Sequence, residues 1–439
     1  MAPEWHRLPD LVLLKVLGFL DRRDRVAVSE TCVAWGTALN YPSIWRRVEI
    51  LLDRDLLLCP GDEFAPKEPL AMHLARLFAT HMRRLEMVWS RPVNSSYQVY
   101  PKVSRGAHAE AGVMFLALLS DRAVQLRELV LTDWVFSYKW GNRNKLLNAL
   151  TNFLGTQREL EVLRLKNACM SMGETLRLVT AVVNSTEGNL KHLDLRSSFR
   201  EWHTPHTCAS YLETLGRLTG LTRLELDYSA LSDGALSVLA ETGQGRLSCL
   251  HIAIHDTDNR NHVLSDEAWR QLITTCPNIR VHISIVNIAH HEDLSYFLLP
   301  SIPLHSFHLF SGSVWDQSRS RNFRGTLQLL LKQYTNTLGE YSSVDLDLNL
   351  KNNREMVDDL ILELIYKSSH LLNLKYDGVL RNINTLREIC HLQLNDTTRK
   401  TTLDTLNQDS IPDLPVIGSP DYYESDALYH VTSERVQIN

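Results

Sequence analysis

The chain has 439 residues, with 46 Lys and Arg against 51 Asp and Glu for a formal net charge of −5, and 44% of it is hydrophobic. That much apolar side chain fills a sizeable core, which excludes a wholly disordered chain. The charge balance leaves no basic stretch able to follow a phosphate backbone, so nucleic acid is not an expected partner.

The first residues, MAPEWHRLPD, lack a cationic segment followed by an apolar one, and no run of eighteen apolar residues occurs. Neither a secretory leader nor a membrane span is expected. The seven cysteines are scattered without a CxxC pair. This points to reduced thiols in an intracellular setting, cytoplasmic or nuclear, with neither a disulfide framework nor a zinc module.

Pro9 suits a first helical turn, where its missing N–H is no loss, and Asp10 places a carboxylate at the positive end of the helix dipole. Leu13, Val16, Leu17 and Leu20 form one stripe, while Leu11, Leu14 and Phe19 lie on other faces. Such a helix must be covered on most sides, yet so short a unit supplies little to cover it. Asp21 then caps a second helix running to about Thr31, and Pro42-Ser43 starts a last short turn.

Leu8-Pro9, Leu17 and Leu20, Asp21 with Asp24, Cys32, Trp35, and Trp45-Arg46 follow one another in the order and spacing of an F-box, which this segment resembles from Leu8 to about Val48. The resemblance implies docking on a Skp-type adaptor, and through it on cullin and RING ubiquitin ligase subunits. It also implies an adaptor-binding set of Leu8, Pro9, Leu13, Leu17, Leu20, Cys32, Trp35 and Trp45. Some of these must instead hold the helices together, and the sequence does not sort the two groups.

From about residue 81 a pattern recurs: an apolar residue, two variable ones, then apolar-x-apolar. Its copies include Met82/Leu85/Met87, Leu126/Leu129/Leu131, Leu160/Leu163/Leu165, Leu190/Leu193/Leu195, Leu221/Leu224/Leu226 and Leu247/Leu250/Ile252. Weaker copies follow as Ile279/Val281/Ile283, Leu304/Phe307/Leu309, Leu338 with Val344/Leu346/Leu348, and Leu371/Leu374/Tyr376. Their first residues lie 44, 34, 30, 31, 26, 32, 25, 34 and 33 positions apart, mostly near the length of a leucine-rich repeat with a helix in each unit.

The expected fold is therefore α/β: an N-terminal three-helix F-box followed by an irregular leucine-rich-repeat horseshoe with parallel strands. The boundaries are residues 1–50 for the F-box, 51–80 for a connecting segment, 81–394 for the repeats and 395–439 for a flexible, polar, Pro-containing tail. The irregular repeats and the early spacer resemble the F-box-only class more than the regular cysteine-rich-repeat type.

No G-x-G-x-x-G, G-x-x-x-x-G-K or G-x-S-x-G motif occurs, so an enzyme is not expected and no catalytic residue or cofactor is assigned. His203, His206 and Cys208 are too few for a closed zinc site, and the calcium-loop spacing of Asp256, Asp258 and Glu267 fails at Arg260 and Asn261. In each repeat, the residue between the last two apolar positions points away from the core. Down the stack these are Glu86, Val130, Arg164, Asp194, Glu225, His251, His282, His308 and Lys375. Neighbouring His251, His282 and His308 are the candidate client-binding patch, gaining affinity for an acidic or phosphorylated segment as they protonate. Trp89, Trp134, Trp202 and Trp315 are either rim or core.

The resemblance thus implies a non-catalytic substrate receptor of a Skp-cullin-F-box ubiquitin ligase, holding an unidentified protein client. The alternative is an F-box scaffold acting outside any ligase.

Overall fold

The computed structural model describes residues 8–20, 24–25, 28, 31–57, 68–89, 105–134, 140–168, 170–199, 205–243, 245–255, 258, 262–286, 291–310, 323–334, 344–349, 355–367, 371–378, 380–382, 384–389 and 400–404. The chain divides into two compact units, Met1–Leu226 with Ser237–Leu247, and Asp227–Leu236 with Ser248–Asn439.

The first unit opens with α1 (Asp10–Phe19) and α2 (Val33–Ala38), followed by a 3-10 turn at Pro42–Arg46. Leu13, Leu17, Ala38, Leu39 and Ile44 are buried together, with Leu8, Leu14, Leu20, Val28, Trp35 and Trp45 packed around them. Each fully buried Leu or Ile contributes on the order of 1.5–3 kcal/mol. The expected second helix is described only at Asp24, Arg25 and Val28 and at its end, Thr31, which lies in a turn, and its cap at Asp21 lies outside the described residues.

A strand–helix alternation follows directly. Its members are β1 (Arg47–Leu51), α3 (Leu70–Phe78), β2 (Arg84–Val88), α4 (Arg105–Asp121), β3 (Glu128–Thr132), α5 (Trp140–Leu154), β4 (Val162–Lys166), α6 (Met172–Thr186), β5 (His192–Asp194), α7 (Ala209–Gly216) and β6 (Arg223–Asp227). The strands pair in parallel, each with the next in sequence, in the register Glu49, Glu86, Val130, Arg164, Asp194, Glu225. The flanking leucine-type positions, from Leu85 and Met87 to Leu224 and Leu226, are buried. Alternation therefore turns every second side chain inward, and one helix per strand covers that apolar face.

Side chains also tie repeat to repeat. Buried Gln157 accepts from the Leu126 N–H at 2.8 Å and donates to the Val124 carbonyl at 2.9 Å, satisfying backbone groups that the loops leave unpaired. Ser171 caps α6 by accepting from the Glu174 N–H, while Glu174 accepts from the Ser171 N–H. The chain leaves β3, β4 and β5 through left-handed residues Asp133, Asn167 and Ser197.

In the second unit, after α8 (Asp233–Gly243), β7 (Cys249–His255), α9 (Asp266–Thr275), β8 (Arg280–Val286), α10 (His291–Phe297), β9 (Leu304–Phe310), α11 (Phe323–Tyr334), β10 (Val344–Asn349), α12 (Asp358–Lys367), β11 (Leu371–Asp377) and β12 (Lys400–Asp404) continue the alternation. These strands also pair in parallel and in sequence order.

Two strands depart from the sequence expectation. β1 straddles the expected F-box boundary, because Val48 and Ile50 supply the inward alternation before any Leu-x-x-Leu pattern begins. β12 falls within the expected tail: Thr-rich KTTLD carries little leucine signal, yet it pairs with β11. Leu338 lies outside the described residues, as do residues 405–439. No described helix is long and apolar enough to cross a membrane.

Candidate docking surfaces

The eight residues of the expected adaptor-binding set divide by burial. Leu13 and Leu17 are fully enclosed in the N-terminal core. Leu8, Leu20, Cys32, Trp35 and Trp45 are half-buried and Pro9 is exposed. Trp45 stacks on Phe78 of α3 with centroids 5.3 Å apart and donates to the Leu39 carbonyl at 2.8 Å. The Arg25 guanidinium lies 5.6 Å from the Trp45 ring centroid. Trp45 therefore fastens the N-terminal helices to the first repeat.

The surface left open is built by other residues. Leu11 and Phe19 of α1 are 82% and 81% exposed, Val33 of α2 is 87% exposed, and Val12 and Val16 are also exposed. The all-round apolar character of α1 explains this: one stripe closes the small core, and among the described residues the other faces have nothing to pack on. Leu11 and Phe19 were visible in the sequence as off-stripe apolar positions, although the family pattern did not select them.

The expected ladder holds in register through the first unit, although its member Val130 is fully buried rather than open, and its last two members form a closed charge network. Asp194 and Glu225 are buried. Arg196 pairs with Asp194 at 2.9 Å, and both Arg223 at 2.7 Å and His192 at 2.8 Å reach Glu225.

In the second unit His251 and His282 are register partners with ring centroids 6.1 Å apart, as expected. His308 requires a correction. The register slips at Val281/His282, so His282 faces Ser306 and His308 faces Ser284. The extra residue in β9 turns His305 to the same face, and its ring lies 5.1 Å from that of His282. His308 instead stands 3.6 Å from Asp347, whose carboxyl is held below its ordinary range first by the His308 ring and then by Lys375, which donates to it at 3.2 Å. The third histidine of the cluster is His305, and His251 bonds Ser284 at 2.7 Å.

Trp89 and Trp134 are core residues, while Trp202, His203 and Trp315 lie outside the described residues. Among the described residues, no group of three or more His, Cys, Asp or Glu side chains is placed to hold a metal ion.

A small helical unit with exposed apolar side chains, continued by strand–helix repeats of leucine spacing, is consistent with an F-box followed by leucine-rich repeats. A family profile described as F-box-like matches residues 5–50. The chain is similar to F-box/LRR-repeat protein 21 of Bos taurus, 23% identical over 331 residues that cover 74% of this chain and 68% of the relative. F-box/LRR-repeat protein 8 of Homo sapiens is 25% identical over 310 residues, covering 70% and 75%. F-box only protein 33 of Homo sapiens is 22% identical over 348 residues, covering 69% and 60%. Both naming classes thus occur among the relatives, and neither is singled out.

Proposed function

We propose that this chain is the substrate-recognition component of a Skp-cullin-F-box ubiquitin ligase, acting within the cell without catalytic groups of its own. In this reading residues 1–50 dock on the Skp-type adaptor, and the repeats hold a protein client near the ubiquitin-loaded enzyme that the cullin and RING subunits recruit. The contribution to rate is proximity: tethering raises the local concentration of client lysines.

The exposed apolar side chains Leu11, Val12, Val16 and Phe19 of α1, with Val33 of α2 also open, carry the reading, because a folded unit that leaves its apolar side chains open calls for a partner surface. Pro9 at the start of α1 and half-buried Leu8, Leu20, Cys32 and Trp35 border or support these side chains, while Leu13, Leu17 and Trp45 hold the unit together. For the client, the reading favours the face centred on His251 and His282, with His305 as third member and His308 one step away.

The test is a pull-down of purified adaptor with full-length protein carrying Leu11→Asp and Phe19→Asp. Adaptor capture is lost while the thermal melt is unchanged. Retained capture overturns the docking assignment, and capture of adaptor without cullin favours the scaffold.

A further inference from the structure

Arg46, Arg83 and Arg127 occupy one place in three successive repeats, immediately before or next to the start of β1, β2 and β3. Backbone hydrogen bonds string them together: the Arg83 N–H donates to the Arg46 carbonyl at 2.9 Å, and the Arg127 N–H to the Arg83 carbonyl at 2.7 Å. Arg47 and Arg84 are register partners beside them. With His81 and Glu128, these five arginines line an open groove of about 460 Å³. Parallel strands lie about 4.8 Å apart, so the repeat itself stacks like charges along one edge.

The charges in this groove are not balanced internally. Its one lining carboxylate, Glu128, is already engaged by Arg84 at 3.3 Å and by Arg164 at 3.6 Å, and Arg84 also holds Glu86 at 3.2 Å. Among the described residues Arg83 donates only to carbonyl oxygens, those of Thr80, Met82 and Gln125, and meets no carboxylate. Arg46, Arg47 and Arg127 are exposed, and none of the three has a side-chain hydrogen bond or ion pair among the described residues. The contrast with the closed network at Asp194 and Glu225 is local, and it occurs in a chain of formal net charge −5.

We propose that this groove binds an extended segment of a partner protein carrying clustered oxyanions, either consecutive Asp and Glu side chains or a phosphoryl group. The guanidinium fork matches planar or tetrahedral oxyanions in two-pronged fashion, and three stacked arginines present several such forks along one line. A nucleic-acid strand fits less well, because among the described residues His81 is the only aromatic ring in the lining and no stacking platform accompanies the charge. The groove is built from this chain alone, so the inference depends on neither the ligase nor the scaffold reading.

The test uses full-length protein and fluorescein-labelled peptides read by anisotropy: an Asp/Glu-rich peptide, a phosphoserine peptide, a Gln-substituted neutral control and an oligonucleotide of equal charge. Binding of an anionic peptide, weakened about tenfold by Arg46→Gln with Arg127→Gln at an unchanged melting temperature, supports the groove. The tighter of the two anionic peptides identifies the source of the oxyanions. The proposal is overturned if the neutral peptide binds equally, if the oligonucleotide binds and the anionic peptides do not, or if the double variant binds like wild type. Equal weakening by Lys145→Gln with Arg158→Gln, exposed and outside the groove, also overturns it.

Discussion

Arg143 grips Glu174 with two parallel hydrogen bonds, Nε to Oε1 at 2.9 Å and Nη2 to Oε2 at 3.1 Å, and both side chains are buried. The pair joins α5 of one repeat to α6 of the next, while Glu174 also completes the cap of α6. Removing one partner of a buried pair strands the other charge, so Glu174→Ala is expected to destabilise the first unit by about 3–5 kcal/mol. Glu174→Gln keeps an acceptor for the cap and should lose less. Urea unfolding of the two variants beside wild type checks the order.

Leu17 and Leu11 lie on the same helix and should respond oppositely in kind. Leu17→Ala opens a cavity in the N-terminal core and is expected to lower stability by about 2–5 kcal/mol. Leu11→Ala removes an exposed side chain and should stay within about 0.5 kcal/mol of wild type, while weakening adaptor capture. Thermal melts paired with the pull-down separate folding from docking.

Burial pushes the Asp258 carboxyl up to about 6 from an ordinary 3.8, even though it accepts the His255 N–H at 2.8 Å. The folded protein therefore binds an extra proton between those two values. The stability this contributes is fully present below about pH 3.8 and is lost as pH rises through about 6. Asp258→Asn retains a carbonyl acceptor without the charge. It should raise the melting temperature at pH 7.5 and change it little near pH 4, and a variant that melts like wild type at both contradicts the assignment.

Gly220 packs against the backbone of Gly188, which turns with φ of +90° between successive repeats. A Cβ on Gly220 would collide with the Gly188 carbonyl, and neither backbone can withdraw without disturbing both loops. Gly220→Ala is expected to cost about 1–3 kcal/mol, read as a lowered urea midpoint.

His308→Ala removes the neighbour that does most to hold the Asp347 carboxyl below its ordinary range. The Asp347 titration, followed by carboxyl carbon NMR, should move upward toward an ordinary aspartate, whereas His305→Ala should leave it in place.

The repeat was legible in the chain because each copy carries its own Leu-x-x-Leu-x-Leu alternation, and that local period dictates a strand whatever surrounds it. The helical opening was legible for the same reason, through the apolar stripe of α1. Two kinds of information were not local. β12 has a weak pattern of its own and becomes a strand by pairing with β11. The slip that replaces His308 with His305 beside His282 arises from one extra residue in β9, which the spacing of leucines leaves unmarked.

The amino-acid sequence by itself determined the kind of protein: a charge-balanced chain with an apolar N-terminal helix and a run of strand–helix repeats. Only the tertiary structure decided which side chains are offered to partners. It buried Leu13 and Leu17, left Leu11 and Phe19 open, closed the charges around Glu225, and stacked Arg46, Arg83 and Arg127 without a counter-charge among the described residues. Burial and pairing depend on what lies across a strand or helix interface, some thirty residues away in the chain, and no local pattern encodes that distance.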